Sequence, residues 1–254
     1  MALFHRHARG LLRTEPGERL YAMAHEMASR AALAEAMVRE SHDRPSGDLR
    51  VTSTIGLGQT WLIRQLPEFF AAYPEVNIQL LLEDRELDLS MLEADVALRP
   101  WKPRDPSLIQ RKIYTATQAL YASVDYIRRH GAPQTVEDLQ DHSLIVYGMT
   151  EGSPLPTVDW VADIGLADGA HKRTARFSVD SMPGVLRAVA AGIGIGALPD
   201  YMTRGQEQLV KVLPEVERHN YDIYFVYPEE LKGSMRLQVF RDFIVGAAQR
   251  LRID

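Results

Sequence analysis

From Leu49 onward the sequence alternates between short β-rich runs and amphipathic helical runs, and this alternation narrows the fold more than any other feature. LRVTST (49–54) reads as a strand, GQTWLIRQLPEFFAAYP (58–74) as an amphipathic helix and VNIQLLLE (76–83) as a second strand. DLSMLEA (88–94) has the pattern of a short helix, and DVALRP (95–100) that of a third strand. IYTATQALYAS (113–123) is a longer extended run, and residues 135–148 read as helix, turn and strand. A further strand in RTARFSVDS (173–181) leads to the helical MPGVLRAVAAG (182–192). The chain closes with a β-rich YDIYFVYPE (221–229) and a helix over 234–251. Strands that alternate with helices imply α/β architecture with a parallel sheet and crossover helices.

The 254 residues leave room for one large domain or two smaller ones. A formal net charge of -5 excludes a chain coated in nucleic acid, so any such contact is local. Cysteine is absent, which removes disulfides, thiolate nucleophiles and cysteine-ligated zinc. Charges interrupt every apolar run, and the first 20 residues hold no signal-peptide core. The expectation is a cytoplasmic protein without membrane partners, metal or cofactor.

Ahead of the α/β region stands a different kind of sequence. Leu3 and Phe4, then Leu11 and Leu12, flank a basic stretch, as in a two-stranded ribbon with Gly10 near its turn. Thr14 is a good N-cap, and Pro16 falls in the first turn, where its missing N–H costs nothing. The helix that follows is expected to reach about Ser41, before the breakers Pro45 and Gly47. Leu20, Ala24, Met27, Ala31, Ala34 and Val38 recur in steps of four and three, a heptad seam. One amphipathic helix packed on its own domain would show some of this pattern. Its length and its small residues favour a partner helix instead.

Several motifs dissolve on inspection. GIGIGA (192–197) has dinucleotide-site spacing, but a helix precedes it where a strand is needed, so Gly192 reads as a helix C-terminus. HEMAS (25–29) has Ser29 where a zincin motif needs its second histidine. GMTEG (148–152) centres a nucleophile-elbow spacing on Thr150, an uncommon nucleophile there. No acid–base pair or nucleophile arrangement points to an enzyme.

More informative are Thr52, Ser53 and Thr54, which end the first strand just where a helix starts. Ligands of open α/β sheets sit at such strand ends, and helix N-termini accept anions. Plain N-capping uses the same residues. Arg99 ends the third strand and offers a matching cation, unless it pairs with Asp95 or Glu83. Arg6, Arg9 and Arg13 on the ribbon suit phosphate contacts, or a solvated tail.

LFHRHARGLLRTEPGERL (3–20) resembles the end of the winged helix-turn-helix of LysR-type transcriptional regulators. Leu3, Phe4, Arg6, Arg9, Gly10, Thr14 and Gly17 carry that likeness. GDLRVTSTIGLGQTWLIRQLPEFFAAYPEVNIQLLL (47–82) is similar to the start of that family's effector domain, and EADVALRP (93–100) and VLRAVAAGIGIGALPDYM (185–202) to later landmarks. The family's recognition helix would precede the wing, so the chain is expected to be truncated, with residues 1–14 a remnant of the DNA-binding wing. Residues 15–46 would be the linker and dimerisation helix. Residues 47–254 would be a type 2 periplasmic-binding-protein-like domain, subdomain I at about 47–116 and 220–254 and subdomain II at about 117–219.

The resemblance implies promoter DNA as a partner of the full-length form, a homodimer or homotetramer, and a small-molecule effector. The strand-end hydroxyls and Arg99 make an anionic effector the expectation. By position, effector contacts would be Thr52, Ser53, Thr54, Asp84, Arg99, Val146, Tyr147, Ser181 and Gly194. A stand-alone solute-binding protein of the same fold is the alternative.

Overall fold

The computed structural model describes residues 2–7, 10–21, 23, 24, 27, 31, 44–103, 105–148, 160–167, 171–216 and 219–251. Strands β1 (Phe4–His7) and β2 (Gly10–Arg13) form an antiparallel ribbon with Phe4 opposite Arg13. Helix α1 covers residues 15–21, and residues 23, 24, 27 and 31 are also helical. Thr14 starts it as a true N-cap: its hydroxyl accepts the Gly17 N–H at 3.1 Å. The same hydroxyl donates to the Ala2 carbonyl, and the Thr14 N–H donates to that of Leu3, which ties helix to ribbon. The Arg13 guanidinium pairs with Glu18 at 2.9 Å and lies 3.8 Å from the Tyr21 ring centroid. Leu20, Ala24, Met27 and Ala31 are exposed. Ala34, Val38 and Arg9 lie outside the described residues, as do the side chain of Arg6 and the motif residues His25, Ser29 and Thr150.

The α/β region is built on one continuous sheet, in the order β4-β3-β5-β11-β6-β9-β7-β8, with β10 also on β6. In its first half β3 (Gly47–Ser53) lies parallel between β4 (Val76–Leu82) and β5 (Val96–Arg99). In its second half β7 (Leu144–Tyr147) lies parallel between β8 (Phe177–Val179) and β9 (Ile195–Pro199). The halves are joined by β6 (Leu108–Ser123) and β11 (Asn220–Pro228), which pair antiparallel. Up to Thr117, β6 pairs with β11; from Gln118 it pairs with β9, and further on with β10 (Leu209–Val212). A single long strand thus passes from one half-sheet to the other.

Helices cover the faces. After β3 come α2 (Ile55–Leu57), a π-helical turn Gly58–Leu62 and α3 (Ile63–Ala72), one helical run in three parts. Gly58 lets this run close on β4, since a Cβ there would lie 2.1 Å from Leu82. Phe69 of α3 packs edge-on against Phe240 and Phe243 of the closing helix α7 (Met235–Arg250), with centroids 5.3 Å apart in both pairs. Phe69, Phe225 and Phe240 are fully buried there beside Leu98 and Val51. Burial of such side chains stabilises the fold by roughly 1.5–3 kcal/mol each. A second core gathers Leu120, Tyr126, Leu139, Leu144 and Trp160 around the far half-sheet, below α4 (Val124–His130).

Two local readings meet the structure differently. Helix α5 (Met182–Ala190) does end at Gly192, whose φ of +74° favours glycine, before β9. The run 88–94 is not a helix but a set of turns. Asp88 accepts the Met91 N–H, Glu93 accepts the Asp88 N–H, and Leu92 is left-handed at φ +54°. Side chains that bond their own backbone compete with a helix in so short a segment.

Candidate functional site

The parallel register brings the C-terminal ends of β3, β4 and β5 together, with Ser53 opposite Leu82 on one side and Leu98 on the other. Strand geometry then divides the hydroxyls. Successive side chains on β3 point to opposite faces, so Thr52 and Ser53 cannot line one surface together. Thr52 lies on the face of Arg99, whose Nη2 donates to its hydroxyl at 2.8 Å. Ser53 faces the helical run, with its Cβ 3.6 Å from the Cβ position of Gly58. Its hydroxyl is buried and lacks a hydrogen-bond partner. Thr54 occupies the N-cap position in extended geometry but makes no side-chain cap bond.

Arg99 is 3% exposed. Besides Thr52 it donates from Nη1 to the Glu83 carbonyl at 2.6 Å, and its guanidinium lies 5.4 Å from the Trp101 ring centroid. Neither acid named for it in the sequence is its hydrogen-bond partner through a carboxylate: Glu83 meets it through the backbone, and Asp95 accepts the Arg50 N–H at 2.8 Å. Burial pushes Arg99 down to about 10, against the pull of Glu86, Asp84 and Glu83, so it stays charged at neutral pH. The Trp101 indole N–H beside it is buried without a partner. That tryptophan was missed in the sequence, although it stands two residues after Arg99.

Asp84 follows β4 by two residues and performs the cap that Thr54 does not. Its Oδ1 accepts the Ile55 N–H, the first of the helical run, at 3.0 Å. Its Oδ2 accepts the Tyr147 hydroxyl at 3.4 Å, from the end of β7 in the other half-sheet. The carboxylate therefore bridges the two halves at the strand ends. Burial raises its pKa above the usual carboxylate range; the Ile55 N–H, Tyr147 and Arg99 oppose this, and Asp180 adds to the rise.

Ser181 caps α5, its hydroxyl accepting the Gly184 N–H at 3.4 Å. The next residue, Met182, meets the helical run, with its Cβ 3.2 Å from the Cβ position of Gly56. Thr52 and Arg99 thus form one hydrogen-bonded set with the Glu83 carbonyl, and Asp84 and Tyr147 another with the Ile55 N–H, the two meeting at the adjacent residues Glu83 and Asp84. Val146 and Gly194 are placed elsewhere. Val146 packs against the second core. Gly194 sits at the opposite end of the strands, where a Cβ would lie 2.1 Å from the Ser143 carbonyl oxygen. Among the described residues no group of three metal-ligating side chains occurs, and no helix is long and apolar enough to cross a membrane.

Comparison with known proteins agrees with this architecture. Residues 42–249 match the family model of the LysR substrate binding domain. An HTH-type transcriptional regulator of Xanthomonas campestris is 31% identical over 261 residues, which cover 99% of this chain and 73% of that protein. The HTH-type regulator CrgA of Neisseria meningitidis is 28% identical over 248 residues, 96% of this chain and 81% of its own. The full-length Vibrio cholerae virulence activator AphB superposes with a TM-score of 0.68 at 28% identity, over 97% of this chain and 84% of AphB. The α/β region has the type 2 periplasmic-binding-protein-like fold, two subdomains joined by crossing strands.

Proposed function

The chain belongs to the LysR-type transcriptional regulators, and from that premise we propose that it regulates promoters in response to a small anionic metabolite bound at the strand-end corner between its half-sheets. One observation carries the anionic reading: the Ile55 N–H at the start of the helical run already holds a carboxylate, that of Asp84. A helix N-terminus favours negative charge through its free N–H groups and dipole. A small carboxylic acid is then the natural competitor for this position, and the Tyr147 hydroxyl is a second donor from the opposite half. Arg99 backs the site with positive charge while its own donors hold Thr52 and Glu83. The partnerless Trp101 N–H is further hydrogen-bonding capacity beside it.

Displacement of Asp84 would loosen its bond to Tyr147 and shift the relation of the two halves, which is how a bound metabolite changes a two-state protein. The exposed helical residues Leu20, Ala24, Met27 and Ala31 support pairing of this segment with another chain, in a homodimer or homotetramer. Arg6, Arg9 and Arg13 would add salt-sensitive contacts to DNA phosphates. A thermal-shift screen with acetate, succinate and citrate against neutral sugars and amines tests the effector class. Acids should stabilise the protein; a screen in which only amines do so refutes the anionic reading.

A further inference from the structure

Along the helical run that follows β3, at Thr60–Gln65, lies a concavity of about 270 Å³, and its lining is strongly basic. Arg64 comes from α3, Arg204 from the end of α6 (Asp200–Thr203) and Arg250 from the end of α7. Trp61, Tyr201 and Leu251 supply apolar wall. Among the described residues that line it there is no aspartate or glutamate. An acid at its margin, Glu68, pairs with Arg250 at 3.0 Å where both are about half exposed, a weak surface pair. Arg64 is exposed and meets no carboxylate among the described residues.

Arg204 and Arg250 hold partners of their own, at Leu251 and Glu68, whereas Arg64 adds a cation whose planar donor fork an oxyanion matches. The aromatic walls suit the uncharged body of a small molecule. The lining also comes from both halves of the fold. Tyr201 and Arg204 follow β9, whereas the other lining groups named belong to the helices of the first half-sheet. Arg204 already reaches across, donating to the Leu251 carbonyl.

We propose that this concavity is a second small-molecule site, for a compact polyanion such as a phosphate ester or a polycarboxylate, and that its occupant ties α6 to α3 and α7. This site does not depend on the Asp84 corner. A ligand that touches both halves favours the arrangement in which both are in reach, so its occupancy sets how readily the halves shift.

The test is a calorimetric titration of the full chain with pyrophosphate, and separately with citrate, at low and high salt. Binding that weakens with added salt is expected. Arg64→Gln should lower the affinity about tenfold, the loss of roughly one charge-assisted contact. Arg64→Lys, which keeps the charge and loses the fork, should fall between. Pyrophosphate should also change the tryptophan fluorescence, and Trp61→Phe should abolish that signal while calorimetric binding persists. Preference for pyrophosphate identifies phosphate chemistry, and preference for citrate identifies carboxylates; either supports the site. Affinity unchanged in Arg64→Gln, or no binding of either anion up to about 1 mM, overturns it.

Discussion

Arg99 and Arg64 carry the same charge in the same half of the molecule, yet the chain treats them in opposite ways. Arg99 is 3% exposed, and two of its nitrogens donate to the chain's own oxygens. Arg64 is exposed and faces an open concavity. The first cation is part of the fold's internal hydrogen bonding; the second is left for solvent or a ligand. A strand-end arginine looks like a ligand contact in the sequence, but burial decides whether its donors are still available. The N-terminal helical residues repeat the contrast with apolar groups. Leu20 and Met27 are 51% and 72% exposed, whereas Leu49 and Val51 of β3 are almost wholly buried.

The largest effect expected from this contrast is on stability. Arg99→Ala leaves the Glu83 carbonyl and Thr52 hydroxyl unpaired in a buried corner, and should cost about 3 kcal/mol. Arg64→Ala should change stability by less than about 0.5 kcal/mol. Urea unfolding of the two variants measures both, and similar losses would erase the distinction. Next comes assembly. If the exposed residues Leu20, Ala24, Met27 and Ala31 form a paired seam, Met27→Glu with Ala31→Glu should shift the protein toward monomer in light scattering, because charge is costly in a close seam. Unchanged mass would return the row to a solvated face.

A smaller effect belongs to Asp84. Its carboxyl titrates above the usual range because burial penalises the charge. Its favourable contribution is therefore present below about pH 4, the unfolded carboxylate value, and is lost as pH rises through the raised folded value. Asp84→Asn should gain stability relative to wild type across that rise, by about 1 kcal/mol or less since the group is only half-buried. A pH series of thermal midpoints reads this, and parallel curves would remove Asp84 from the account. The smallest change is expected from Ser53→Ala. Its hydroxyl has no partner to lose, so stability should stay within about 0.5 kcal/mol.

Much of the fold was legible because periodicity reports it directly. Thr14 capped its helix, Gly192 ended one, and the alternation from Leu49 gave the parallel strands of each half-sheet. The run 88–94 misled because Asp88 and Glu93 bond local backbone, a competition that propensity does not register. The candidate site was legible as a location and not as a geometry. The hydroxyl triplet looked like one cluster, but strand alternation sends Thr52 and Ser53 to opposite faces. Asp84 and Tyr147 are 63 residues apart and meet only because both end strands at the junction of the halves. The Ile55 N–H is backbone, and no side-chain pattern could announce it.

The most direct test of the anionic-effector account is a titration of wild type and Asp84→Asn with whichever acid best stabilises the protein. If the effector's carboxylate takes the place of the Asp84 carboxylate at the Ile55 N–H, removing the internal charge should tighten binding by about tenfold, since about 1.4 kcal/mol of competition is relieved. Binding in the variant that is weaker than in wild type would contradict the account. It would mean that Asp84 holds the effector as an acceptor, and that the metabolite carries a donor instead of a negative charge.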